Sequence, residues 1–244
     1  MNAGAVLVAA GLGTRLGAGK PKALVTLGGT PLVTHAVRRL VATGGVSHVV
    51  VVVPASHEDE FADVLSEFAD GDVPVEIVAG GAERSDSVRC GLRALDRECD
   101  IVLVHDAARC LAPPSLVARV LAALDDGADA VVPGVAVVDT IKLVEAREAQ
   151  TVVASTPARA ALRAIQTPQG FRRSALLAAH ACGADATDDA ALVELAGADV
   201  VVVAGDDLAL KVTTPLDMVL AEHLLAADDA VAGEVTDTHP RGQS

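Results

Sequence analysis

The chain has 244 residues and a formal net charge of −14, with three Phe and no Trp or Tyr. An acidic chain with so few aromatic side chains lacks the cationic surface and stacking platforms that binding to a nucleic acid polymer requires. Its apolar runs fall well short of the roughly 20 residues of a membrane-spanning helix, and its length suits one α/β domain, so we expect a cytoplasmic protein without a membrane partner.

Short Val-rich runs alternate with helical stretches along the chain. The predicted strands are 5–10, 49–53, 73–79, 101–105, 130–133 and 200–204, and the predicted helices are 31–42, 57–68, 85–95, 114–124, 174–181, 188–195 and 215–226. Continuous apolar runs of about five residues separated by helices are typical of a parallel sheet covered on both faces. The sequence therefore predicts a doubly wound α/β fold with a mostly parallel sheet.

A glycine-rich loop follows the first predicted strand. Residues 11–17 read GLGTRLG, and the cations Arg15, Lys20 and Lys22 lie in this segment or just after it. The spacing is not the GxGxxG of a dinucleotide-binding loop, and the Lys-Pro pair that follows does not fit a P-loop. Backbone N–H groups and fixed cations at the end of a strand suit a triphosphate. The alternative is a plain strand-to-helix turn with solvated cations.

A second glycine segment, GGAERSDSV at residues 80–88, also follows a predicted strand and leads into a helix. Gly80 and Gly81 permit close backbone approach by a ligand, and the helix N-terminus presents N–H groups. The alternative for Ser85, Asp86 and Ser87 is a capping role.

The strand at 101–105 leads directly into Asp106, with Arg109 three residues later. A carboxylate at a strand end can meet Mg²⁺ beside substrate phosphates, although Asp106 could instead be a helix cap. We interpret His105 as a structural residue. Three further segments, VDTIK, TPQGF and LKVTTPLD, are weak signals when taken singly, and a solvated Lys211 or an unremarkable Arg159 remains the alternative there.

The alternation of strands and helices changes between residues 135 and 166. Segments 139–144 and 151–154 flank the charged stretch EAREAQ, as in a β-hairpin that leaves the main sheet. Such a protruding β-arm, at about residues 136–158, exposes strand edges that are commonly covered by a second copy of the chain. We therefore expect a homodimer. We also expect one domain over residues 1–226 and a disordered tail at 227–244.

Taken in order, these segments resemble the cytidylyltransferases of the nucleotidyltransferase superfamily, and most closely those that act on 2-C-methyl-D-erythritol 4-phosphate in non-mevalonate isoprenoid biosynthesis. The resemblance spans about residues 6–226 and rests on AAGLGTRLGAGKPKAL, GGAERSDSV, VHDAAR, VDTIK, QTPQGF and KVTTPLD. It implies a Rossmann-like nucleotidyltransferase fold. It also implies transfer of a cytidylyl group from CTP to this sugar-alcohol phosphate, with release of pyrophosphate.

The resemblance assigns roles to individual residues. The implied catalytic residues are Arg15, Lys22 and Lys211; the nucleotide-binding residues are Ala9, Ala10, Gly11, Gly13, Gly80, Gly81 and Ser87; the acceptor-binding residues are Asp106, Arg109, Thr140, Arg159, Thr167 and Thr187. Family membership would also imply Mg²⁺ held mostly by the CTP phosphates, with Asp106 as the candidate protein ligand, and an arm that carries part of the site to the other subunit. Cys110 departs from the family, in which a Pro commonly follows the arginine.

The reaction implied by the resemblance requires no protein nucleophile. A phosphate monoester is already anionic near pH 7, with a second pKa of about 6, so positioning and charge neutralisation by Arg15, Lys22, Lys211 and Mg²⁺ would suffice. Ribitol-5-phosphate cytidylyltransferases share most of these motifs and are the alternative within the class. Transfer of another nucleotidyl group and a catalytically silent nucleotide-binding module are further alternatives, and the cations at the loop disfavour the latter.

Overall fold

The Val-rich strands come together in one mixed sheet in the computed structural model, which describes residues 2–11, 13, 16, 19–182 and 186–236. The strands are β1 (Ala3–Val8), β2 (Thr26–Leu27), β3 (Thr30–Pro31), β4 (Val46–Val53), β5 (Val75–Ala79), β6 (Ile101–Asp106), β7 (Ala130–Ala136), β8 (Leu143–Arg147), β9 (Gln150–Ser155), β10 (Arg163–Ile165), β11 (Gln169–Arg172) and β12 (Val200–Ala204). The sheet order is β10-β7-β11-β6-β1-β4-β5, with β12 paired with β7.

Most of this sheet is parallel, as the sequence predicts. β1 runs parallel to β4 and β6, and β4 runs parallel to β5. The sequence did not reveal β10 and β11, which run antiparallel to their neighbours, with β11 inserted between β6 and β7. The β11 segment QGFR contains one large apolar side chain, Phe171, so it lacks the apolar run that marks the other strands.

Helices cover both faces of the sheet because successive strand residues point to opposite sides. Leu7 packs into one buried cluster and its neighbour Val6 into the other. The helices are α1 (Leu32–Val41), α2 (Glu58–Leu65), α3 (Arg84–Ala94), α4 (Pro114–Asp125), α5 (Arg173–Ala181), α6 (Asp189–Leu195) and α7 (Pro215–Thr236). α1, α2 and α4 contribute to the first cluster, and α3, α5 and α6 contribute to the second. The doubly wound fold is confirmed.

The last helix is longer than the sequence pattern indicates. We expected a disordered tail from residue 227, whereas α7 continues to Thr236, and residues 237–244 lie outside the described part. The added segment contains three Ala, the best helix former, and the Arg39 guanidinium pairs with Asp228 at 2.6 Å. Within the described ranges, none of the helices is both long and apolar enough to cross a membrane.

The predicted β-arm is present as a hairpin of β8 and β9 that forms its own two-stranded sheet. The observed strands differ from the predicted ones in two respects. β8 includes half of the charged stretch, and residues 139–142 are not in a strand. Both strands are largely exposed. A hairpin without a buried face has no alternation of apolar and polar residues that would mark its strands in the sequence, which accounts for the difference in strand bounds.

Candidate active site

A cavity of about 290 Å³ opens at the carboxyl-terminal edge of the sheet, where loops follow β1, β5 and β6. This edge is the usual ligand crevice of an open α/β sheet. The lining residues are Val8, Ala9, Ala10, Gly11, Lys22, Ala23, Gly81, Ala82, Glu83, Arg84, Ser87, Asp106, Ala107, Ala108 and Lys211. The cavity therefore combines both predicted glycine segments with three cations and Asp106.

The first glycine loop folds back on Lys22. The Lys22 backbone N–H donates to the Gly11 carbonyl at 3.1 Å, and the Lys22 Nζ donates to the Val212 carbonyl at 3.1 Å. Gly13 has a φ of +65°, and a Cβ there would lie 2.6 Å from the Lys22 Cβ, so a larger residue would push the loop away. Gly13 thus supports the loop from behind and does not line the cavity. Arg15, a predicted catalytic residue, lies outside the described residues.

The second glycine segment is held by Ser87, which is 2% exposed. The Ser87 hydroxyl accepts from the Gly81 N–H at 3.2 Å and donates to the Glu83 carbonyl at 3.1 Å. A Cβ on Gly81 would lie 2.2 Å from the Asp86 Cβ, which leaves no space for a side chain. Gly81 and Ser87 line the cavity, and Gly80 lies behind it. Asp86 forms a capping box with Glu83 at the start of α3, as in the alternative interpretation.

Asp106 is the most strongly perturbed acid at this edge. Its side chain is 12% exposed, its Oδ2 accepts from the Lys211 Nζ at 2.7 Å, and its Oδ1 lies 3.6 Å from the Arg84 Nη2. Burial alone would raise the pKa of Asp106, but Lys211 and Arg84 outweigh it and lower the pKa to about 2. Asp106 is therefore ionised at neutral pH.

His105 and Thr167 fix the backbone beside Asp106. The Thr167 hydroxyl lies 2.8 Å from the His105 Nδ1 and accepts from the Asp106 N–H at 3.1 Å. Burial lowers the pKa of His105 to about 4, so its imidazole is neutral at pH 7. The tautomer of His105 sets which of the two groups donates in this 2.8 Å contact, because the Thr167 hydroxyl can both donate and accept. The structural interpretation of His105 is consistent with this geometry.

A second cavity of about 220 Å³ adjoins the first and shares Arg84, Asp106 and Lys211 with it. Its other lining residues are Arg109, Ile165, Gln166, Thr167, Gln169, Thr187 and Asp188. The Arg109 guanidinium donates to the Ala209 carbonyl at 2.6 Å and to the Ile165 carbonyl at 3.1 Å, so it is held in the wall. Cys110, which follows it, is buried in the core, and Arg109 still lines the cavity.

The two predicted acceptor residues of the arm are not brought into either cavity of this chain. Thr140 and Arg159 are exposed, and the Arg159 Nη1 donates to the Val138 carbonyl at 2.7 Å. The other predicted acceptor residues, Asp106, Arg109, Thr167 and Thr187, all line the second cavity.

Sequence reasoning did not single out Arg84, although it lies inside GGAERSDSV. The sequence feature that could have identified Arg84 as a site residue is its position close to two glycines after a predicted strand. Gln169, Asp188 and Asp189 were likewise missed. The Gln169 Nε2 donates to the Asp188 Oδ2 at 2.7 Å, and Asp188 caps α6 by accepting from the Ala191 N–H at 3.0 Å. The contact between Gln169 and Asp188 spans 19 positions of sequence, and the contact between Arg84 and Asp189 spans 105.

The donor set near Asp106 has limited capacity for a metal ion. Over the described part of the chain, there is no group of three or more Asp, Glu, His or Cys side chains that could hold one. Mg²⁺ commonly binds through one or two carboxylates together with substrate phosphates. The site therefore fits an ion that is held mainly by a nucleotide, with Asp106 as a single protein ligand, and does not fit an all-protein metal site.

Comparisons with known proteins agree over nearly the whole chain. The family model described as "2-C-methyl-D-erythritol 4-phosphate cytidylyltransferase" matches residues 3–227. Proteins of that name from Nocardia farcinica and Streptomyces coelicolor are each 52% identical; both matches cover 91% of this chain, and they cover 93% and 84% of those proteins.

Solved structures give the same result. The 2-C-methyl-D-erythritol 4-phosphate cytidylyltransferase of Thermus thermophilus is 34% identical with a TM-score of 0.73, covering 93% of this chain and 100% of that chain. The 4-diphosphocytidyl-2C-methyl-D-erythritol synthase of Anaerococcus prevotii is 27% identical with a TM-score of 0.79, covering 92% and 98%. The overall α/β fold is thus shared with these proteins.

Proposed function

The chain belongs to the 2-C-methyl-D-erythritol 4-phosphate cytidylyltransferase family, and from this membership we infer that it transfers a cytidylyl group from CTP to 2-C-methyl-D-erythritol 4-phosphate. The products are pyrophosphate and 4-diphosphocytidyl-2-C-methyl-D-erythritol, an intermediate of isoprenoid biosynthesis. One structural observation supports this reaction above the others: two cavities of about 290 and 220 Å³ meet at Asp106, Arg84 and Lys211. A transferase with two substrates needs such a junction, because the reacting atoms must approach each other there.

We propose that CTP occupies the larger cavity. The glycine segments at Gly11 and Gly81 provide close backbone approach, with Ala9, Ala10 and Ser87 beside them for the nucleoside. Gly13 and Gly80 would act by shaping these loops. The Lys22 ammonium lies in the same wall and would neutralise charge on the triphosphate, as would Arg15 from the neighbouring segment.

The acceptor would occupy the smaller cavity. Arg109 and Lys211 provide cationic groups for its phosphate, and Asp106, Thr167 and Thr187 provide oxygen atoms for its hydroxyl groups. An acceptor phosphate oxygen would attack the α-phosphorus of CTP in line with the leaving pyrophosphate. Because the phosphate is already anionic, the protein contributes orientation and positive charge rather than a nucleophile or a base.

We propose that Mg²⁺ accompanies CTP, with Asp106 as its candidate protein ligand. The ion would supply further neutralisation of charge on the phosphates. The Asp106 carboxylate is suited to this because it is ionised at neutral pH. We also propose a cytoplasmic location, since the thiols of Cys90, Cys99, Cys110 and Cys182 are free.

We further propose a homodimer in which the arm completes the acceptor site of the partner subunit. The arm exposes apolar side chains that water does not favour: Val138 is 80% exposed, and Leu143, Val144 and Val153 are each more than half exposed. Its own Thr140 and Arg159 lie outside the cavities of this chain. A partner's arm could bring these two residues to the acceptor.

Subunit mixing tests the dimer. Lys22→Ala and Arg159→Ala variants, assayed at limiting acceptor, should each have low activity, and random mixing by refolding should restore about a quarter of wild-type activity. The reason is that half of the dimers are hybrids, and each hybrid holds one site with both residues intact. No recovery on mixing, or a monomer by light scattering, would refute the shared site.

The reaction itself is tested by product identification. The protein is incubated with each of the four nucleoside triphosphates, Mg²⁺ and either 2-C-methyl-D-erythritol 4-phosphate or ribitol 5-phosphate, and the products are analysed by mass spectrometry. We expect a product with CTP and the methylerythritol phosphate. A larger yield from ribitol 5-phosphate, or from another triphosphate, would reject this assignment.

A further inference from the structure

Asp106 has two cationic neighbours that are held very differently. Lys211 Nζ lies 2.7 Å from one carboxylate oxygen, and its side chain is 44% exposed on a flexible stem. Arg84 Nη2 lies 3.6 Å from the other oxygen. Both cations line both cavities. The two neighbours therefore differ in how easily they can leave Asp106.

Arg84 is fixed from the side opposite Asp106. Its Nη1 donates to the Asp189 Oδ2 at 2.7 Å, and Asp189 is 1% exposed. The other oxygen of Asp189 accepts from the His180 Nε2 at 3.0 Å, and His180 is also buried. Asp189 lies in the first turn of α6, where the helix N-terminus favours a negative charge. The Arg84 guanidinium is thus held by the buried Asp189 carboxylate, and Asp189 is held in turn by its hydrogen bond from His180.

Lys211 is the cation that a substrate phosphate would compete for. When its ammonium turns to a phosphate, Asp106 loses its 2.7 Å partner while its side chain stays mostly buried. A mostly buried carboxylate without a nearby cation is strongly unfavourable, and Arg84 supplies such a cation from the protein itself, beside any Mg²⁺ that accompanies CTP. Without Arg84, Lys211 would therefore be retained by Asp106 and be less available to the substrate.

We propose that Arg84 is a positioning residue: it is the resident counter-ion of Asp106, held in place by Asp189 and His180, and it frees Lys211 to bind the substrate phosphate. The proposal rests on the proposed function, because the phosphate that Lys211 would bind is that of the acceptor in the cytidylyl transfer. Arg84 lines both cavities, but in this role it acts through Asp106 and Lys211, so its effect on the reaction should depend on the charge of Asp106.

The test uses charge-matched variants, because Arg84→Gln alone would leave Asp189 buried without its cation. The pair Arg84→Gln/Asp189→Asn removes both charges and retains amide groups of similar shape. It is compared with Arg84→Lys, with Asp106→Asn, and with the combination of the pair and Asp106→Asn. The control is Arg39→Gln, because Arg39 is also a partly buried arginine paired with a carboxylate, at 2.6 Å from Asp228, and lies outside both cavities.

For each variant, kcat, the KM values for CTP and acceptor, and the thermal midpoint are measured in the full-length protein. We expect the charge-matched pair to remain folded and to lower kcat/KM for the acceptor by about 10- to 100-fold, the range of a charged hydrogen bond, with the KM for CTP changed by less than about threefold. Arg84→Lys should retain more activity than the pair. In the Asp106→Asn background, the charge-matched pair should lower kcat/KM for the acceptor by less than about threefold, because its effect passes through Asp106.

Independent, multiplicative losses in the combined variant would overturn the proposal, as would near-normal kcat/KM in the folded pair. If the pair unfolds, Arg84→Lys, Asp106→Asn and their combination are compared instead. Multiplicative losses of kcat/KM in that combination would likewise overturn the proposal. Wild-type protein without cytidylyl transfer activity would reject the proposed function instead, so the two failures are distinguishable. Arg39→Gln should leave all kinetic constants unchanged.

Discussion

Replacing Lys22 by alanine removes an ammonium group from the wall of the larger cavity, together with its 3.1 Å hydrogen bond to the Val212 carbonyl, and keeps the backbone contacts of the loop. The Lys22 backbone N–H would still donate to Gly11, and the retained Cβ would still pack beside Gly13. We therefore expect a thermal midpoint within a few degrees of wild type. The loss should fall on catalysis, because the ammonium would neutralise triphosphate charge that grows on the pyrophosphate leaving group.

The magnitude follows from the position of the group. Lys22 lies at a concave, partly enclosed site, where a fixed donor to a developing anion contributes about 2.7–4 kcal/mol. At about 1.36 kcal/mol for each tenfold change in rate, Lys22→Ala should lower kcat by roughly 10² to 10³. The assay is pyrophosphate release at saturating CTP and acceptor, checked by mass detection of the cytidylyl product.

The matched control is Lys20→Ala. Lys20 is exposed, lies two positions away on the same loop, and lines neither cavity. Its loss removes the same formal charge, so any general effect of net charge on CTP binding would appear in both variants. A Lys22→Ala protein within threefold of wild type, or equal losses in the two variants, would refute a specific role of Lys22 at the triphosphate.

Three further predictions concern binding and stability. Gly81→Ala should raise the KM for CTP about tenfold with a smaller effect on the acceptor, because its Cβ would lie 2.2 Å from the Asp86 Cβ and displace the second glycine segment; equal effects on the two KM values would contradict this. Burial lowers the pKa of His105 from 6.5 to about 4, so between these pH values the unfolded chain binds a proton that the native state excludes. The free energy of unfolding should therefore fall by up to about 3 kcal/mol as pH falls from 6.5 to 4. Urea unfolding should show a smaller fall in His105→Asn, and identical pH profiles would refute the argument. Arg173 donates to the carbonyls of Leu92 and Leu95 at 3.2 Å each, at the C-terminal end of α3, so Arg173→Ala should lower the free energy of unfolding by about 2 kcal/mol, whereas the exposed Arg93→Ala should not.

Much of the fold was predictable because its signals are local. The central strands contain continuous apolar runs of four or five residues, and the helices between them carry N-terminal signals within a few residues of their observed starts. The hairpin was also predicted, but the bounds of its strands were not, because neither strand has a buried face. β11 was not predicted because its position depends on pairing with β6 and β7, which no local pattern of QGFR encodes.

The amino-acid sequence alone was sufficient to identify most of the chemical groups at this site. The two glycine loops, Asp106 and Arg109 could be identified because they lie at or just after predicted strand ends, and the ends of parallel strands meet at one edge of a sheet. The roles of Lys22 and Lys211 were implied by the resemblance of their short motifs. Their resemblance to cytidylyltransferases was carried by short contiguous motifs, which need no tertiary information.

The pairing of these groups with one another depends on the tertiary structure. Asp106 meets Lys211, and Arg84 meets Asp189, across 105 positions of sequence in each case. Such contacts follow from strand order and from the packing of α6 against α5, and both are cooperative properties of the whole chain. The physical reason is that periodicity and capping act over a few residues, whereas the counter-ion of a buried carboxylate is chosen by whichever distant loop the fold brings within a few ångströms.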